Sequence, residues 1–188
     1  MMTNLTSDQF DMISSVMYEP LSYLHADYKV LASNKEDIIW QKLTNRQLIQ
    51  QYQLINQLDC DIDIIVEKIF TYWTLLPRCA LFLGYLYSRE TLLLSGNYYQ
   101  LEPQLKGFLS LYPVLNIDKK ITTSLENIAP INIGYQLLFD FISSISMALA
   151  QRFTLLFAPQ SSSIELPQSL FLSRSLFILV LDYAALSV

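Results

Sequence analysis

Few side chains in this sequence carry reactive chemistry, and their spacing decides what they could do. There is one histidine, His25, set among Tyr23, Leu24 and Tyr28. The nearest hydroxyl nucleophile, Ser22, lacks the G-x-S-x-G elbow that would expose it. His25 therefore reads as structural or surface rather than catalytic. Asp59, Asp61 and Asp63 alternate like the first ligands of a calcium loop, but the glycine and closing glutamate of such a loop are missing from their places. They read as a helix cap and a solvated face. Gly84, Gly96 and Gly107 form neither a phosphate loop nor a G-x-G-x-x-G turn, so nucleotide binding has no support. Glu67, Glu90 and Glu102 lack the spacing of a paired acid and base. Cys60 and Cys79 have no metal-ligand or redox spacing and read as two buried free thiols. No catalytic, cofactor-binding or metal-binding residue is assigned, and no cofactor is expected.

The totals narrow the class further. A chain of 188 residues suffices for one domain. Charged residues make up only 15% against 52% hydrophobic, where the usual charged share is about 25%. Surfaces so short of charge tend to end against a partner. Net charge of −5 argues against nucleic acid, because a row of phosphates needs a basic face and Lys119-Lys120 is the only adjacent basic pair. Mean hydropathy of +0.30 raises the question of a membrane span. Such a helix needs roughly 20 apolar residues in a row. The run Cys79–Tyr87 is bounded by Arg78 and Arg89, and Leu176–Leu181 by Arg174 and Asp182, so neither spans. The opening MMTNLTSDQF has no basic region before an apolar core, so no signal peptide is expected and the location should be cytoplasmic.

The elements follow the apolar periodicity, and the expected fold is all-α: a single multi-helix domain over 1–188 with irregular proline-rich loops. Helices are expected over 7–18, 34–58, 61–73, 76–95, 102–112, 135–153 and 168–186. Thr6 with Gln9, and Ser33 with Glu36, have capping-box spacing. Phe10, Ile13 and Met17 should share the inner face of the first helix, and Leu48, Tyr52, Ile55 and Leu58 that of the second. Asp61 should cap the third, and Ile62, Ile65, Val66, Ile69, Phe70 and Trp73 form its apolar face. The stretch from Tyr72 to Pro113 is the densest apolar run and should be the core around which the rest packs. Within it Thr74 is the expected cap, and Gly84 should mark close approach of another helix. Gly96 should supply the left-handed stop. Thr123 and Glu126 are placed in a mobile connection, and the Ser161–Ser163 run in a loop. Leu138, Phe139, Ile142, Ile145 and Leu149, then Leu172, Leu176, Leu179 and Tyr183, should pack inwards.

The central stretch resembles a type III secretion family, the sorting-platform adaptors known as OrgA, MxiK or, in unified naming, SctK. The family's core runs through a tryptophan-bearing helix, Leu-Pro, an apolar run ending Leu-Gly, then a glycine leading into a leucine-rich short helix. Here these are Trp73, Leu76-Pro77, Ala80 to Leu83-Gly84, Gly96, and Leu105 with Phe108-Leu109. Three further stretches agree in order. Tyr18-Glu19-Pro20-Leu21-Ser22-Tyr23-Leu24-His25 is similar to an N-terminal "DPLSYIH" element. Ala150-Gln151-Arg152-Phe153 with Leu155-Leu156-Phe157 and Pro159 is similar to a late "AQRF…LLF…P" element, and Leu179–Ala184 to the closing helix. Residues 26–60 and 114–134 give no match. The resemblance implies a non-enzymatic adaptor at the cytoplasmic face of the bacterial inner membrane. It would link the cytoplasmic domain of the inner-membrane ring protein to the pod protein, with the stator and ATPase reached indirectly.

Trp73, Leu76, Pro77, Leu83, Gly84, Gly96, Phe108 and Leu109 are expected to determine the fold. Loops carrying aromatics and arginine are common anchor material, so Tyr18, Pro20, Leu21, Tyr23, His25 and Arg152 are the expected partner-binding residues. The alternative is a small helical enzyme or apolar-ligand-binding protein whose pocket lies among Tyr85, Tyr87, Tyr98, Tyr99 and Tyr112. A secretion chaperone is disfavoured, because those are typically smaller αβ dimers and no strands are expected here.

Overall fold

A computed structural model describes residues 6–28, 37–111, 128–159, 166 and 170–186. These residues form helices and connections and no strand, so the fold is all-α. In chain order the α-helices are α1 (Ser7–Tyr18), α2 (Ile38–Gln51), α3 (Ile64–Thr71), α4 (Leu76–Tyr87), α5 (Arg89–Leu94), α6 (Pro103–Leu111), α7 (Pro130–Ser143), α8 (Met147–Thr154) and α9 (Arg174–Ala185). Short 3₁₀ turns occupy Pro20–Ser22, Trp73–Leu75 and Asn97–Gln100. The chain divides into two compact units. Unit 1 is Met1–Thr74 with Ile142–Ser161, and unit 2 is Leu75–Phe141 with Ser162–Val188.

Local chemistry sets the ends of the helices and departs from the expected boundaries in several places. The Thr6–Gln9 capping box forms as expected. Phe10 lies on the exposed side of α1, however, and Met17 on the buried side. The helix expected over 34–58 is shorter. Asp37 Oδ1 accepts the Ile39 and Trp40 amides at its start. It ends at Gln51, after which Gln53 takes a positive φ of 49°. The stripe through Ile55 and Leu58 is thereby broken, and Thr44 with Leu48 form the buried side of α2. The Ser33–Glu36 box lies outside the described residues, as do Thr123, Glu126 and the Ser161–Ser163 run.

The helix after it starts at Ile64 because Asp63, not Asp61, caps it, accepting from the Ile65 and Val66 amides. Thr74 caps nothing: Leu75 precedes α4 without a side-chain cap. The helix expected over 76–95 breaks at Ser88 into α4 and α5, and the one expected over 135–153 into α7 and α8. At the second break the Ile142 carbonyl accepts both the Ile145 and Ser146 amides. Ser143, Ser144 and Ser146 crowd that point, and serine side chains compete with helical backbone bonding. The last helix starts at Arg174, capped by Ser173, and Leu179 is exposed on it rather than inward.

Unit 2 is built around α4, whose Leu76, Cys79, Ala80, Leu83 and Leu86 are buried. Phe82 stacks on Phe108 of α6 at 5.1 Å, and Tyr183 of α9 packs against both rings. The Tyr183 hydroxyl donates to the Gln104 carbonyl at 2.9 Å. Burial pushes the Cys79 thiol up to about 12, against the opposing pull of Arg78, so it is a neutral packing group. Helices α4 and α7 meet with no side chain between them. A Cβ on Gly84 would lie 1.7 Å from the Pro130 carbonyl oxygen, and one on Gly134 would lie 1.7 Å from that of Ala80. The four residues pair at i, i+4 spacing on both helices, so backbone rests on backbone at two successive turns.

Gly84→Ala and Gly134→Ala should each therefore destabilise the protein by about 1–3 kcal/mol or more, because neither carbonyl can retreat without moving its helix. The check is the urea unfolding midpoint, and an unchanged midpoint in either variant would contradict the close approach.

Candidate partner-docking surface

Unit 1 holds all six residues expected to bind a partner, and the structure assigns several of them to another task. An α-helix leaves its last carbonyls without backbone donors. In α1 the following sequence worsens this shortage. Pro20 has no N–H to give the Val16 carbonyl. The Leu21 N–H, next in line for Met17, donates instead to Asn45 Oδ1 at 2.8 Å. Side chains fill both vacancies. The Tyr23 hydroxyl donates to the Val16 carbonyl at 2.8 Å. Arg152 donates from Nε and Nη2 to the Met17 carbonyl at 3.1 and 2.9 Å, and from Nη1 to the Ala148 carbonyl at 3.0 Å.

The arginine is 0% exposed. Burial lowers its pKa, and the nearby hydroxyls of Tyr23 and Tyr18 act against that. Burial likewise raises the Tyr23 phenol, with Arg152 opposing. A buried cation without a carboxylate suits this spot because the C-terminal end of a helix carries partial negative charge. Arg152 is therefore a cap rather than a surface anchor. Tyr23, which also meets the Trp73 ring edge-on at 5.6 Å, and the buried Pro20 are equally unavailable.

The other three expected residues are accessible. His25 donates its backbone N–H to the Leu155 carbonyl at the end of α8, and its Nδ1 lies 3.7 Å from Asp27. Tyr18 is exposed, with its hydroxyl donating to the Asn56 carbonyl at 3.2 Å. Leu21 is half-buried. Together with α2, Tyr18 and Leu21 border a groove on unit 1. Two cavities of about 630 and 390 Å³ share Glu19, Lys42 and Asn45 along it. Sequence reasoning missed that α2 leaves apolar residues exposed; of these Ile38 lines the groove, while Ile39 and Leu43 line neither cavity. The signal was present: Ile38, Ile39 and Leu43 cannot turn inward together with Thr44 and Leu48 on one helix, and all three are exposed.

Asp59 also proves structural. Its carboxylate accepts the Ser146 hydroxyl and the Met147 and Ala148 amides, so it caps α8 from 87 residues away. Burial tends to raise its pKa, but these hydrogen bonds outweigh that and hold it below the ordinary value. Among the described residues no His, Cys, Asp and Glu group is arranged to hold a metal. Both cysteines are free, and Cys60 is half-buried rather than buried. Of the tyrosines, Tyr87 is buried with its hydroxyl 3.4 Å from the Phe171 carbonyl and Tyr99 is exposed, while Tyr112 lies outside the described residues.

Over residues 13–186 the sequence matches the family described as Bacterial type III secretion apparatus protein (OrgA_MxiK). The chain belongs to this family, and the match covers nearly all of it. No curated protein and no solved structure matches. The stretches Tyr18–His25 and Ala150–Pro159 are joined by the His25 N–H on the Leu155 carbonyl, while Arg152 reaches Met17, just before the first of them.

Arg152→Met should cost about 3 kcal/mol or more, because a charge-assisted fork is lost and a buried carbonyl is left without a donor. Arg152→Lys should recover little of this, since an ammonium cannot reproduce the planar fork. Chemical denaturation checks both, and a Lys variant as stable as the parent would contradict the capping geometry. Asp59 adds a pH dependence. Its folded-state pKa lies below the unfolded one, so its contribution is complete above about 3.8 and is lost as pH falls through the lower folded value. Asp59→Asn should be less stable at neutral pH and should lose less stability than the parent on acidification. Parallel stability–pH curves would contradict the assignment.

Proposed function

We propose that this protein is the non-enzymatic adaptor of a type III secretion sorting platform, standing at the cytoplasmic face of the bacterial inner membrane. In this reading it joins the cytoplasmic domain of the inner-membrane ring protein to the pod protein. Family membership over residues 13–186 carries the proposal. Two features support it. No single helix among the described residues is long and apolar enough to cross a membrane. Large apolar side chains stand exposed on both units, including Ile39 and Leu43 on unit 1 and Leu94 and Leu186 on unit 2. An adaptor needs at least two such faces, and apolar side chains left in water are the usual raw material of protein interfaces.

The test is affinity recovery of the tagged chain from cells that make the whole apparatus, with and without detergent extraction of the membrane rings. Co-recovery of the pod protein and of the ring protein is expected. Deleting the gene should abolish secretion and pod assembly while the rings still form. Recovery of neither protein by folded chain, or pods assembling normally in the deletion strain, would contradict the proposal.

A further inference from the structure

We propose that residues 55–61 form a latch that swings off α8 as one unit while the rest of unit 1 stays folded. The proposal does not depend on the adaptor reading, because every contact it uses lies within unit 1. This connection between α2 and α3 has no helix or strand of its own. None of its residues is buried. Among the described residues no backbone-to-backbone hydrogen bond ties it to a helix. Segments with so little buried surface and so few backbone bonds lie at the low end of a protein's local stability, where moving parts are found. Both ends of the latch are fixed independently of it. Leu54, just before it, is buried with its N–H on the Ile49 carbonyl at 3.0 Å. Asp63, two residues after it, is bound to α3 as the cap of that helix.

Hydrogen bonds involving side chains hold the latch at three places. Gln151 Oε1, on α8, accepts the Ile55 N–H at 2.8 Å. The Tyr18 hydroxyl, at the end of α1, donates to the Asn56 carbonyl at 3.2 Å. The Asp59 carboxylate accepts the Ser146 hydroxyl and the Met147 and Ala148 amides, the last two at 3.1 and 3.4 Å. Gln151 comes four residues after Met147 and three after Ala148, so both grips on α8 share one side of that helix. Arg152 is not part of them. Its donors go to the Met17 and Ala148 carbonyls, so α8 stays bound to α1 with the latch off. Opening therefore bares the first turn of α8 and leaves its other end in place. The three grips cooperate because each brings the same short span of chain against unit 1, and the entropy of closing that loop is lost once for all of them.

The experiment is amide hydrogen exchange of the full chain in urea concentrations below those that unfold it. The Ile55, Met147 and Ala148 amides should exchange with one common free energy, lower than that of the Gln151–Phe153 amides inside α8. That free energy should also depend little on urea, since the latch exposes little surface when it opens. Gln151→Met removes the acceptor of the Ile55 amide and keeps the stem of the side chain. It should speed exchange at Met147 and Ala148, whose amides bond Asp59 rather than Gln151, by about threefold to tenfold. Tyr18→Phe, which removes a single hydroxyl, should act in the same direction by a smaller factor. Separate free energies for the three amides would overturn the proposal, as would a free energy shared with Gln151–Phe153. So would exchange at Met147 and Ala148 left unchanged by Gln151→Met, because the grips would then be independent contacts and not one fastening.

Discussion

The end of α1 imposes the constraint on which unit 1 depends. A proline one residue past the C-cap denies the Val16 carbonyl its backbone donor, and the turn that follows sends the Leu21 amide to Asn45. The carbonyls left over need donors that can be buried with them. Tyr23 and Arg152 provide these donors, and each brings its own element into place. Tyr23 folds the chain back over α1, while Arg152 draws α8 to the same point although it is 135 residues distant from Met17. Asp59 repeats the device at the other end of α8, where the orphan groups are amides and the partner is an anion. One short helix is thus held at its N-terminus by a carboxylate and anchored near its C-terminus by its own guanidinium, each with the sign that the helix dipole favours.

Unit 2 solves a different problem. Its central helix is buried along much of its length, and it gains close packing by omitting side chains rather than by fitting them. Gly84 and Gly134 let two backbones touch, while Phe82, Phe108 and Tyr183 fill the space on another side of α4. The Leu-Gly pair of the family pattern is the place where this contact occurs. A glycine in this apolar helix has a steric reason.

Helix type was legible from periodicity throughout, and so were the glycine at the α4 crossing and the buried leucines of α6. Helix ends were less legible wherever serines interrupt a long apolar pattern, as at Ser88 and Ser143-Ser144, because such residues stop a helix without disturbing its stripe. Gly134 was missed because the helix was expected to start only at Tyr135, although a glycine amid Ile133, Tyr135 and Leu137 is the usual sign of close backbone approach. The largest difference concerns Arg152. A charged residue reads as a surface residue unless its partner is visible, and the partner here is a backbone carbonyl with no sequence signature of its own. Tyr23 was misplaced for the same reason. On α2, glutamines drew attention to the wet side and away from three exposed apolar residues.

Family-like sequence in unit 1 is divided between residues buried where α1 meets α8, Tyr23 and Arg152, and accessible ones, Tyr18 and Leu21. The most direct test of that division is native-state hydrogen exchange on the unaltered protein. If Arg152 and Tyr23 bind the end of α1 to α8, amides in the last turn of α1 and in α8 beyond its first turn should open together, with one common free energy. Exchange in the last turn of α1 at the rate of a frayed helix end, with α8 still protected, would contradict the account.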